Sequence, residues 1–179
     1  MRSRRLGTAL VLATALAARG ELVERVLAVV DERPLCLSDV HAIERLDGVD
    51  GNVALARLVD DTLLYHEAFR MPQAALTAAE EEDAGTRAGT DAAMRRALRR
   101  RAVIRKYVAF RFRPQIRVDD DKVRRRYQET YGGKPDAPPL EGVAAELREA
   151  LAAEELSTRV ADWTRELREA AAVRYNPPE

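Results

Sequence analysis

The chain has 179 residues, 30 basic and 30 acidic side chains, 9 glycines and a single cysteine. That length supports one core with room for a small lobe, and a lone cysteine excludes an internal disulfide. Balanced charge gives no net attraction for nucleic acid, and a composition rich in Ala, Leu, Arg and Glu favours a mainly α fold.

Arg2, Arg4 and Arg5 precede an uncharged, mostly apolar run from Leu6 to Ala17 that ends in Ala15-Leu16-Ala17. A basic start, an apolar middle and a small-residue exit form a secretory signal peptide over residues 1–17, with a second cut available after Gly20. The apolar run is shorter than the roughly 20 residues a permanent span needs, so export without stable membrane insertion is expected. Removing it takes three arginines and no acid, leaving 27 basic against 30 acidic groups.

Next comes a β region. "VLAVV" (26–30) is a continuous apolar run, "DERP" has turn chemistry and "LCL" is a second short run, which predicts a hairpin covered on both faces. Ser38 is the expected cap of a helix that buries Val40, Ile43 and Leu46 and stops at Gly48–Gly51. A second helix, from about Asn52 to Arg70, carries Leu55, Leu58, Val59, Leu63, His66 and Phe69 at spacings of three and four, one buried face. Met71-Pro72 closes it.

Thr77 and Glu80 form a capping box for a short acidic helix punctuated by Gly85 and Gly89. From Thr90 a long helix carries Met94, Ala97, Leu98, Ile104, Val108 and Phe112 on one stripe until Pro114. "VDDDKVRRRYQETYGG" adds another, with acids at its start and glycines at its end. After the break "GGKPDAPPLEG", Leu140 to Ala171 is helical in one or two pieces. Its first stripe is Leu140, Val143, Leu147 and Leu151; its second is Leu156, Val160, Trp163 and Leu167. The five-residue step between them turns the face by about 140°, so a change of packing partner is expected there. "VRY" (173–175) alternates and is a candidate C-terminal strand.

Catalytic and metal chemistry find little support. Cys36 lies in an apolar strand and reads as a buried structural thiol, His41 lies across the strand–helix junction, and His66 falls on an apolar helix face. Two scattered histidines and one cysteine match no common zinc spacing, so neither a metal nor another cofactor is expected. The basic stretch "RRALRRRAVIRKYVAFRFR" (95–113) has an ordinary buried stripe, so its arginines are expected to pair with nearby acids rather than bind nucleic acid. What remains is apolar recognition. Phe69, Met71, Tyr107 and Phe110 are the candidate client-binding residues, since aromatic and methionine side chains adapt to varied peptides.

The succession of elements resembles the SurA-type periplasmic chaperones. "ELVERVLAVVDERPLCLSDV" is similar to the strand–turn–strand opening of that family, and "ALARLVDDTLLYHEAFR" to its next helix. "FRFRPQIRVDDDKVRRRYQETY" is similar to its segment ending in a tyrosine-rich helix, with Asp119 as the cap and Lys122 where an acid is usual. The resemblance implies a helical chaperone core over residues 18–179, completed by the C-terminal helix and a strand pairing with the hairpin. It implies ATP-independent binding of unfolded exported or outer-membrane proteins. Most such chaperones carry a prolyl isomerase domain after the tyrosine-rich helix. Here only residues 132–139 separate Tyr131 from Leu140, far below the ~50 residues a domain needs, so no isomerase activity is expected. The alternative is an accessory subunit of a cell-envelope assembly with one fixed partner. A homodimer formed by swapping the C-terminal helix also fits this reading.

Overall fold

A computed structural model describes residues 24–176. The expected signal peptide lies outside the described residues. Strands β1 (Val26–Val30) and β2 (Arg33–Cys36) form the hairpin, joined by Asp31 and Glu32. Both turn residues have positive φ, 45° and 68°, as the tight turn that matches strand twist requires. The predicted C-terminal strand, β3 (Val173–Tyr175), pairs antiparallel with the other edge of β1 and gives the order β2-β1-β3. Asp31 N–H donates to the Ala172 carbonyl at 3.1 Å, and Ala172 N–H donates to Asp31 Oδ1 at 3.0 Å. Asn176 N–H donates to the Leu27 carbonyl at 2.8 Å, beyond the far end of β3.

Coverage of the sheet differs from expectation. Ala28, Val30 and Leu35 are buried, but Leu27 and Val29 are only half-buried. Helices cover one face fully, and the continuous apolar run of β1 exceeds what its second face needs.

The helices begin and end where local chemistry satisfies their free backbone groups. In α1 (Leu37–Asp47) the expected cap is displaced: Cys36 holds the capping position, without a side-chain hydrogen bond. Ser38 lies inside the first turn, where its N–H donates to Glu24 Oε1 at 3.1 Å and its buried hydroxyl has no partner among the described residues. Gly48, at φ 64°, ends the helix in the left-handed conformation glycine adopts freely. Asp50 caps α2 (Gly51–Phe69) by accepting from the N–H groups of Asn52 and Val53. Thr77 and Glu80 make the predicted capping box of α3 (Ala78–Ala88), and Gly85 sits within that helix rather than breaking it. Asp91 caps α4 (Ala92–Arg111), and Asp119 caps α5 (Asp120–Tyr131).

Around the sheet, α1, α2 and α4 close the core. Ile43, Leu58, Val30 and Val59 are its largest fully buried side chains, with Ala93 and Ala97 letting α4 approach closely. Four cations of the basic stretch pair with carboxylates of other helices or their ends. Arg96 pairs with Asp39 at 2.7 Å, Arg99 with Glu81 at 2.6 Å, and Lys106 with Glu80 at 2.7 Å. Arg101 reaches Asp47 at 2.6 Å and Asp61 at 3.1 Å, joining α4 to α1 and α2.

Helix α6 is a single helix, Leu140–Ala170, and it changes partner as predicted. Its first half packs on α5, where Val123 and Leu147 are buried. Arg126–Glu154 at 2.6 Å, Arg148–Asp120 at 2.7 Å and Lys122–Glu155 at 3.3 Å bridge the pair. Residues 132–139 are the connecting loop, fastened by Tyr127 Oη donating to the Pro138 carbonyl at 2.6 Å. Its second half turns to the body. There Leu167 joins the core, and Arg168 reaches Asp60 and the Ala56 carbonyl of α2.

Two predictions follow from these contacts. Glu32 pays for its left-handed conformation, so Glu32→Gly should raise the denaturant midpoint, by about 1 kcal/mol of stability; an unchanged or lower midpoint would contradict this. The second concerns acid. Hydrogen bonds from Arg101, then Arg57, hold the Asp47 carboxyl down to about 2 from 3.8. A depressed carboxyl stabilises the fold fully above pH about 4 and loses that contribution as pH falls toward about 2. Burial pushes Asp61 the other way against the opposing pull of Arg101, so its charge opposes folding until it is protonated. Urea titrations across pH should show Asp47→Asn losing about 2 kcal/mol at neutral pH and flattening the acid decline. Asp61→Asn should leave neutral stability unchanged or higher, and equal losses from both variants would refute this assignment.

Candidate functional site

Burial first, then the charges of Glu24 and Asp39, push the Cys36 thiol up, opposite to what a nucleophilic cysteine requires. His41 is half exposed and stands 3.8 Å from Glu44, and His66 is half-buried. Among the described residues, no group of three or more His, Cys, Asp or Glu is placed to hold a metal ion. No described helix is long and apolar enough to cross a membrane.

Of the four candidate client-binding residues, Met71 and Tyr107 pack against one small cluster, Phe69 borders the cleft beside it, and Phe110 stands apart. Phe69 and Met71 share a cleft of about 400 Å³ between the end of α2, the turn Pro72–Ala74 and α4. The sequence placed Phe69 on the buried face of α2; it is instead 69% exposed, resting against Tyr65 with ring centroids 5.5 Å apart. Phe69 is the last residue of α2 and borders the cleft that it shares with Arg99 and Val103 of α4, which leaves its ring on the open side. Met71 packs toward Ala68, Ala74 and Val103.

Tyr107 faces α6. Its ring stacks on Trp163, with centroids 5.1 Å apart and planes 22° apart, and Phe112 meets both rings. It bridges two parts of the molecule, packing against Ala68, Ala74 and Val103 as well as against Trp163 of α6. Phe110 is 48% exposed and lies outside both this stack and the Phe69 cleft.

A larger apolar groove, about 690 Å³, runs between α4 and α6. Ile104 and Val108 form one wall, Leu156 and Val160 the other, and Arg105 and Arg113 stand at its rim. It continues past Ile116 and Ala152 into a further cleft of about 450 Å³ that shares Arg113, Ala153 and Leu156. Side-chain size explains the opening. The rings of Tyr107, Phe112 and Trp163 set the helix separation, while the neighbouring Ala109, Ala153, Ser157 and Ala161 are too short to fill it. Close packing would bring two helices to roughly 8–10 Å, so an aromatic spacer beside alanines leaves a trough.

The sequence named both walls as helical stripes but assigned them to the core. That they fail to meet depends on the spacer and the alanines across from each other, which periodicity within one helix does not report.

No protein-family model matches the chain, and no curated protein matches it.

The aromatic stack carries stability and the exposed ring does not. Tyr107→Ala should cost about 2 kcal/mol, and Phe110→Ala should stay within about 0.5 kcal/mol of the parent. Chemical denaturation of both variants decides it; equal costs would mean that Tyr107 does not brace α6.

Proposed function

We propose that this protein is an ATP-independent holding chaperone of the periplasm, binding extended apolar segments of unfolded exported proteins without catalysis. The observation that carries this reading is the open apolar groove between α4 and α6, lined by Ile104, Val108, Leu156 and Val160. The resemblance of the chain to SurA-type chaperones, in the order of hairpin, helices and returning C-terminal helix, supports it from the sequence. The connecting loop 132–139 is too short for an isomerase domain, which supports holding without isomerisation.

The groove suits transient capture. Burying one aliphatic side chain is worth about 2 kcal/mol, so three would contribute about 6 kcal/mol before ordering costs. That total corresponds to a dissociation constant no tighter than tens of micromolar. Many weak engagements along an unfolded chain delay aggregation while leaving release free of any energy source. The short Ala153 and Ala161 side chains let a client's own side chains reach the helix backbone, which tolerates varied sequences.

The purified chain lacking residues 1–17 should suppress aggregation of a urea-denatured outer-membrane protein on dilution. Val160→Asp, which puts a charge in the groove wall, should lose most of that suppression while keeping the parent's far-ultraviolet circular dichroism. No suppression by the parent at several-fold molar excess ends the reading. Recovery from cells with a single stoichiometric partner would favour the accessory-subunit alternative.

A further inference from the structure

Unpaired guanidinium groups stand at the groove rim. Along α4, Arg96, Arg99, Arg101 and Lys106 have carboxylate partners, Arg95 donates to the Gly89 carbonyl, and the half-buried Arg100 has no carboxylate partner among the described residues. Arg105 and Arg113 are exposed and have none among the described residues, and the same is true of Arg111 and Arg117 on the flanking stretch. The acids of the opposite wall are already engaged: Glu154 holds Arg126 and Glu155 holds Lys122. Glu149 stands only at the outer end of the adjoining cleft. An apolar trough is therefore bordered on its α4 side by guanidinium groups with no internal partner.

Resting on the holding reading above, we infer that the groove selects client segments in which an apolar stretch is flanked by acidic residues. Charge complementarity favours such flanks. A segment seated on Val108 and Val160 brings its flanks within reach of Arg105 and Arg113, whose forked donors match carboxylates. Acidic flanks gain there, and lysine flanks meet like charge next to a low-dielectric wall. The apolar residues face into a cleft between two helices rather than outward as on a surface-seeking helix, which favours a peptide over a lipid surface. The apolar walls likewise disfavour nucleic acid, whose sites combine phosphate contacts with stacking rings.

The test uses the chain without residues 1–17 and three fluorescein-labelled peptides that share one apolar centre and carry aspartate, serine or lysine at both ends. Anisotropy at about 0.05 M salt should give the aspartate peptide about tenfold tighter binding than the lysine peptide, with serine between. The spread should shrink at about 0.5 M salt, where the screening length falls to a few ångström. The double variant Arg105→Glu/Arg113→Glu should reverse the order. Both residues are exposed and unpaired among the described residues, so the variant should keep its circular dichroism. If it does not fold, Arg105→Gln/Arg113→Gln should abolish the preference without reversing it.

Equal binding of all three peptides would overturn charge selection while leaving the holding reading intact. Binding of none, the serine peptide included, would overturn both. A preference that survives loss of the two arginines, or tighter retention on phosphatidylglycerol vesicles than on the aspartate peptide, would overturn the assignment to this rim.

Discussion

Pairing of β3 with the free edge of β1 is the constraint from which the rest of the architecture follows. It returns the C-terminal end of α6 to the hairpin and so fixes one end of a 31-residue helix. A rigid helix anchored there has one route across the molecule. It must pass α2, where Arg168 meets Asp60, and then α4, where Trp163 meets Tyr107. Only its far half is left for α5. Without that strand pairing, α6 would be a long amphipathic rod with no defined register against the body, and the groove would have one wall.

Two kinds of contact divide the work around that frame. Within the body, small apolar side chains and the Arg101 bridge to Asp47 and Asp61 bring α1, α2 and α4 close. Between the body and α6, large rings keep the helices apart. The same helix, α4, takes part in both because its faces differ: alanines and a paired arginine inward, Tyr107 and Val108 toward α6. A hydrophobic patch that is partly sheltered yet unfilled is costly to maintain unless something occupies it, which is why the groove, rather than the exposed Phe69 or Phe110, carries the functional reading.

Much of this was legible in the sequence because it is local. The capping box at Thr77 and Glu80, the Asp119 cap, the hairpin at Asp31–Glu32 and the two stripes of α6 are each set by residues within a few positions of one another. The shift of face between Leu151 and Leu156 even foretold the change of partner. The misreadings share a different cause. Ser38 has the right chemistry for a cap, but the β2 strand runs straight into α1 and leaves the capping position to Cys36. Phe69 continues a buried stripe, but it ends α2 and borders an open cleft. Tyr107, a candidate for recognition, packs on a partner that local sequence does not show, Trp163, 56 positions along the chain. The groove itself arises from a mismatch in side-chain size between two helices, information that neither helix contains alone.

The closing strand also sets an order of events. Ala172 meets Asp31 across 141 positions of sequence, and β3 is three residues long. In a chain that emerges N-terminus first, one edge of β1 therefore stays open, with its backbone donors and acceptors unmatched, until Val173–Tyr175 has emerged. Helices α1 to α4 can assemble early from neighbouring contacts, but loop closure over that distance comes late. The groove is thus completed after the body of α1 to α4. Under the holding function proposed above, the protein passes through a stage with an exposed strand edge and gains its binding surface as it covers that edge.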